Sequence, residues 1–209
     1  MNTKNYDFIQ LDHNLTKYKD YAYWYGGKGQ KASQELLTAL SKQYPKVYTQ
    51  TYINKCKKDI EANKSVIDCS GYVCKVLEIE QLGSWQILKK FEQLKHTGEP
   101  KNGDIVYRKG HVGIYYFGQV YQFKGIDYDF YIEPYKKEEW TYILATNTKL
   151  LAYEEYAKTG WIMTSEGKWW YAYDKKIGSY YKDEHVWIDD KFCYFDPHGY
   201  LVSETKYYR

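Results

Sequence analysis

The stretch Gly103-Asp104-Ile105-Val106-Tyr107-Arg108-Lys109-Gly110-His111-Val112-Gly113-Ile114-Tyr115-Tyr116-Phe117-Gly118-Gln119-Val120-Tyr121-Gln122-Phe123 decides how this chain folds. Residues 104–107, 111–116 and 120–123 are short runs rich in β-branched and aromatic side chains. Arg108-Lys109-Gly110 and Phe117-Gly118-Gln119, both of turn length and both holding a glycine, separate them. The pattern predicts consecutive antiparallel strands, and a further strand is expected within 140–145.

Upstream the period is helical. Leu36, Leu37 and Leu40 recur at helical spacing within 32–44, with Ser33 as N-cap and Pro45 as the stop. A more polar helix is expected over 52–62. Asp68-Cys69-Ser70-Gly71 then opens a third helix over 72–80, in which Tyr72, Val73, Val76 and Leu77 form one apolar stripe. Cys69 stands at the N-terminal end of that stripe, and Cys74 reads as a packing residue. Gly26-Gly27-Lys28-Gly29 reads as a flexible break. Helices followed by antiparallel strands give an α+β class.

Residues 160–209 differ in texture, with 14 aromatic residues and four of the seven Trp. Two units repeat a Trp-Ile, a polar turn, a Lys and an aromatic strand closed by Asp. One runs from Trp161 through Trp169, Trp170 and Tyr171 to Asp174; the other runs from Trp187 through Tyr194 to Asp196. Each reads as a β-hairpin too small to bury its own apolar face. Asp196-Pro197-His198-Gly199 fits a type I turn. The expected division is 1–145, a linker at 146–159, and 160–209.

The composition excludes several classes. With 44% hydrophobic and 27% charged residues the chain is that of a folded protein, and a formal net charge of +3 without a run of five like charges offers no footprint for nucleic acid. No stretch of about 18 apolar residues is present, so no membrane partner is expected. Cys56, Cys69, Cys74 and Cys193 match neither a zinc nor a redox spacing, so the site is expected to need no metal or cofactor. His185 and His198 have no ligand partners at suitable spacing and read as turn or surface residues.

Cys69 nevertheless has the surroundings of a nucleophile. A thiol attacks a carbonyl as thiolate, so it needs a lowered pKa and a base. The free N–H groups and dipole of a helix N-terminus favour the anion and can hold an oxyanion. Asp68 and Ser70 favour a helix start at Cys69. His111, first residue of a strand after a Gly turn, is placed to act as base, and Gln122 on the next strand to orient its ring. The plain alternative is a core thiol and a sheet-edge histidine.

Asp68-Cys69-Ser70-Gly71-Tyr72-Val73 resembles the D-C-S-G-L-V signature of NlpC/P60 peptidases. Gly103-Asp104-Ile105-Val106 and Gly110-His111-Val112-Gly113-Ile114-Tyr115 resemble that family's strand motifs, and Tyr23-Trp24-Tyr25-Gly26-Gly27 its tyrosine motif; the segment from Tyr25 to Gln30, with Lys42-Gln43-Tyr44-Pro45, is similar to a phage-endolysin branch. The resemblance covers roughly residues 20–125. It implies a papain-like domain cleaving peptide or amide bonds of bacterial peptidoglycan without cofactor, with Cys69 as nucleophile, His111 as base, Gln122 as orienting residue and Tyr23 as auxiliary contact. Relatives carry His, Glu or Asn where Gln122 stands, and an uncharged amide stabilises an imidazolium less. The residues between Tyr23 and Cys69 fit an insertion of helices.

The C-terminal units are similar to choline-binding cell-wall repeats, which implies a wall ligand such as choline held by Trp161, Trp169, Trp170, Tyr171, Trp187 and Tyr194. Two units supply at most one aromatic box within a chain, and a second by homodimerising; the alternative is aromatic packing of a small β-extension. The polar N-terminus has no secretory core, so an endolysin of the host cytoplasm, released by a holin, is the expected setting. The alternatives are an exported wall hydrolase or effector of the same chemistry, and a wall- or glycan-binding protein with a degenerate peptidase domain.

Overall fold

A computed structural model describes residues 8–146, 159–163, 167–173 and 180–206. The chain divides into two compact units, one of Asn14–Thr148 and one of Lys149–Arg209 with residues 2–13. The expected linker at 146–159 lies almost wholly outside the described residues, as does Asp174. The architecture is mixed α+β: helices with antiparallel sheets.

In the first unit the expected helices form close to where periodicity places them. Helix α1 (Phe8–Thr16) belongs to the second unit up to His13, and the first unit continues from Asn14 into strand β1 (Ala22–Tyr23) and strand β2 (Lys28–Lys31). Helix α2 (Gln34–Gln43) starts at Ser33, whose hydroxyl accepts the Leu36 N–H, and buries Leu37 and Leu40. Helix α3 (Gln50–Glu61) is capped by Thr49 in the same way. Strand β3 (Ser65–Ile67) then runs straight into helix α4 (Cys69–Val76). The third helix stops earlier than its stripe suggests: Glu78 turns left-handed at φ 46° and the Ile79 N–H caps the Cys74 carbonyl. Helix α5 (Ser84–Lys90) follows.

Gly26-Gly27-Lys28-Gly29 is not a flexible break. Lys28 and Gly29 belong to β2, and β1 and β2 flank β3 in a three-stranded sheet, β1 parallel and β2 antiparallel to it. Gly27 is required by close approach: a Cβ there would lie 2.9 Å from the Trp24 carbonyl and 3.0 Å from the Ile67 nitrogen. Helices α2 and α3 close over this sheet through Trp24, Leu37, Leu40, Tyr48, Tyr52 and Cys56.

Strands β4 (Lys95–His96), β5 (Ile105–Arg108), β6 (His111–Tyr116), β7 (Gln119–Gly125), β8 (Asp129–Pro134) and β9 (Tyr142–Leu144) form one sheet in the order β4-β9-β5-β6-β7-β8. All its pairings are antiparallel. The expected strands are there, and β8 joins them. Helix α4 packs on this sheet, Tyr72 lying 5.3 Å from the Phe123 ring.

The second unit holds two hairpins, as its repeats predict. Strands β10 (Gly160–Met163) and β11 (Trp169–Ala172) pair with Trp161 opposite Tyr171. Strands β12 (Glu184–Ile188), β13 (Lys191–Phe195) and β14 (Leu201–Lys206) form a three-stranded sheet. The Asp196 turn closes through the Gly199 N–H to the Asp196 carbonyl at 2.9 Å, and its carboxylate accepts from the His198 and Tyr200 N–H groups.

Candidate active site

Cys69 owes its position to β3. The parallel register sets Tyr23 opposite Ile67, two residues before Cys69. Asp68 caps α4 by accepting the Gly71 N–H at 2.6 Å, and Gly71 must be glycine because a Cβ would sit 2.7 Å from the Gly27 carbonyl. The Cys69 side chain is buried at 6% exposure, and the backbone amides of Val112 and Ser70 favour its anion. Val112 follows His111 in β6.

The thiol is not poised as a thiolate. Burial, then the Asp68 carboxylate, push it up to about 12, against the pull of the Val112 amide, the Lys28 ammonium and the Ser70 amide. The helix N-terminus does favour the anion, but desolvation outweighs it. The lowered pKa expected from the helix start is therefore absent from this resting site. Lys28 is the residue that sequence reasoning missed here. Its ammonium contacts Asp68 Oδ1 at 2.9 Å, Asp68 Oδ2 at 3.0 Å and Ser70 Oγ at 2.7 Å, neutralising the acid next to Cys69.

Tyr23 lies near the thiol. Burial, then neighbouring Cys69, push its phenol well above the usual value, so it stays protonated and able to donate. Its backbone is pinned, the Tyr23 N–H donating to Asp129 Oδ1 at 2.7 Å. The inserted segment braces Tyr25, two residues on: the Tyr25 N–H donates to the Tyr52 hydroxyl and the Tyr48 hydroxyl donates to the Tyr25 carbonyl, each at 2.8 Å.

His111 and Gln122 meet because Ile114 pairs with Tyr121, which leaves the two side chains one step apart on one sheet face. His111 Nε2 lies 2.6 Å from Gln122 Oε1. Gln122 is fully buried, and its amide nitrogen donates to Glu133 Oε1 at 2.6 Å, which fixes the amide's orientation. A carbonyl oxygen only accepts, so Nε2 carries the proton and Nδ1 keeps its lone pair. The ring stacks on Trp140 at 5.9 Å, and the Arg108 guanidinium lies over the same indole at 4.9 Å. Burial lowers the His111 pKa; the Gln122 bond raises it, Arg108 lowers it, Glu133 raises it and Lys124 lowers it, with a net fall. Thiol and imidazole thus both rest neutral.

The structure groups the aromatic candidates differently. Trp161, Trp169 and Tyr171 share one face of the first hairpin, the Trp161 ring 6.5 Å from Trp169 and 5.2 Å from Tyr171. Trp170 points the other way and is buried against Tyr180. Trp187 and Tyr194 lie with Phe192 and His185 on one face of the second sheet, while Cys193 and Phe195 fill its core with Trp161 and Tyr171 packed on them. Among the described residues no cluster of His, Cys, Asp or Glu is placed to hold a metal ion, and no helix is long and apolar enough to cross a membrane. The chain matches no family model, no curated protein and no solved structure.

Proposed function

We propose that the chain is a peptidoglycan hydrolase of the NlpC/P60 type, its first unit papain-like, cutting an amide bond of the stem peptide or cross-link. The observation that carries this reading is the 2.6 Å bond from His111 Nε2 to Gln122 Oε1, on a strand whose next amide, that of Val112, favours the Cys69 anion. That bond leaves Nδ1 as the free base. Because both partners rest neutral, attack and proton transfer go together: the thiol proton passes to Nδ1 as the S–C bond forms. The carbonyl oxygen, now an oxyanion, takes N–H groups at the start of α4, with the Tyr23 hydroxyl as a further donor. The imidazolium returns the proton to the leaving amine, and water then cleaves the thioester. The exposed Trp169 and Trp187 support the second unit as the wall-holding part, for choline or a similar ligand.

One observation favours a second reading. A fully desolvated thiol held near 12 also suits a wall-binding protein whose peptidase site is silent. Purified Firmicute walls digested with the native chain and with Cys69→Ala separate the two. Muropeptide release by the native chain alone is expected; equal release by both, or by neither, ends the cysteine-peptidase reading. Slow iodoacetamide labelling near neutral pH does not decide it, since a thiol activated only during attack also labels slowly.

A further inference from the structure

Three neighbouring strands carry one polar chain across the large sheet. His111 on β6 bonds Gln122 on β7, and Gln122 bonds Glu133 on β8, at 2.6 Å each. The pairing of Val120 with Glu133 sets the second contact one step along the ladder, as the first hairpin sets the first. Glu133 is anchored in turn by the Lys124 ammonium at 2.5 Å from Oε2. We propose that Glu133 is a positioning residue for the imidazole, acting through Gln122: a carboxylate that a neutral amide relays to His111.

Glu133 acts on the ring through both orientation and charge. An amide in a buried site can present either its oxygen or its N–H₂ to a neighbour, and the imidazole alone does not choose, since it adapts by changing tautomer. Glu133 chooses. An ionised carboxylate only accepts, so the amide nitrogen must face it and Oε1 must face the ring. The tautomer that frees Nδ1 is thus decided two residues away. Charge is the second effect. A hydrogen bond to a carboxylate polarises the amide and makes Oε1 a stronger acceptor, which favours the imidazolium that forms as the thiol gives up its proton. Gln122 in place of a charged residue then costs less than its neutrality suggests. Partial burial alone would raise Glu133, but hydrogen bonds from Lys124 and Gln122, and the charges of Lys124 and Arg108, hold it below the usual carboxylate range and keep it ionised. Arg108 and Lys124 are the cations that face His111 on this side, and Glu133 is the anion.

This inference rests on the peptidase reading of the same site, so its test reads the ring directly as well as the activity. The full chain labelled with ¹⁵N-histidine, with His111→Gln used to assign the signal, is expected to show the Nε2–H tautomer. Glu133→Ala is expected to lose that single tautomer and to lower Cys69-dependent muropeptide release about 10–100-fold, the usual cost of removing a group that orients a functional imidazole from behind. Gln122→Glu alone sets two carboxylates against each other and should be impaired as much. Gln122→Glu combined with Glu133→Gln rebuilds the chain with acid and amide exchanged and should recover most of the loss, which a merely structural role does not predict. An unchanged tautomer with activity within twofold in Glu133→Ala overturns the proposal, as does a folded double variant no better than the singles. If Glu133→Ala fails to fold, Glu133→Gln and the double variant carry the same comparison. If the native chain releases no muropeptide, the peptidase reading fails, while the tautomer still decides whether Glu133 orients the ring.

Discussion

The first unit gathers its candidate residues and the second divides them. Cys69, Tyr23, His111 and Gln122 come from three sheet strands and one helix start, yet strand pairing sets Tyr23 beside the strand that leads into Cys69, and a hydrogen bond joins His111 to Gln122. The six aromatic candidates come from two hairpins and end in three places. Trp161, Trp169 and Tyr171 share a face, Trp170 is core, and Trp187 and Tyr194 look outward from another sheet. The difference follows from the forces involved. Polar groups in a low-dielectric site must find partners, so burial draws them to specific neighbours. Aromatic rings satisfy their burial against any apolar surface, so alternation along a strand is enough to separate them.

The comparison breaks first at Trp170 if it is wrong. With its side chain 2% exposed and edge-on to Tyr180 at 5.7 Å, Trp170→Ala should destabilise the folded second unit by about 3–5 kcal/mol. Urea unfolding followed by the remaining Trp fluorescence measures it. A loss of wall retention with an unchanged unfolding midpoint would instead make Trp170 a ligand contact and unite the divided set.

The next effect belongs to the gathered site and is read by pH. Burial lowers the His111 pKa below its ordinary 6.5, so this imidazole stays neutral to more acid pH than an exposed histidine does. The sign follows: kcat/KM on a soluble muropeptide should rise through an acid limb below 6.5, falling about tenfold for each further unit of acid. With the Cys69 thiol pushed up to about 12, no alkaline limb is expected near the ordinary thiol value of 9.0. A bell with an alkaline edge between those values would mean a preformed thiolate–imidazolium pair, and hence a site less desolvated than its 6% exposure implies.

Much of this site is legible in the sequence, and what is not has identifiable causes. Asp68, Ser33 and the glycine turns act locally, through caps and φ preferences, so the helix starts and the β5–β6–β7 meander can be read from neighbours in the chain. The pairing that seats Tyr23 is not local: β1 and β3 are two and three residues long and join across the two inserted helices. Lys28 sits among glycines, which suggest looseness, yet Gly27 is there because a Cβ would lie 2.9 Å from the Trp24 carbonyl and 3.0 Å from the Ile67 nitrogen. Glu133 lies in Asp129-Phe130-Tyr131-Ile132-Glu133-Pro134, where a Pro and charged ends mask the strand. The thiol's ionisation shows most clearly why local reading falls short. The cap and the helix start are written in four residues, whereas the burial that overrides them comes from the whole sheet.

The smallest effect expected is also the one that tests what the division is for. Trp187 is 57% exposed and touches Phe192 at 5.2 Å on the outward face of its sheet. Removing a ring more than half exposed takes little from folding, so Trp187→Ala should leave the unfolding free energy within about 0.5 kcal/mol of the native chain. If the outward rings hold a wall ligand, the same variant should lose retention on purified walls while its cleavage of soluble muropeptide stays unchanged. A drop in stability comparable to that of Trp170→Ala would show that the face is covered in the folded chain and the ring is core after all. Retention equal to the native chain would move the ligand to Trp169, whose 42% exposure on the first hairpin leaves it the other open indole among these candidates. Stability and retention therefore have to part company at Trp187 and not at Trp170 for the outward rings to be a binding surface rather than packing that was never completed.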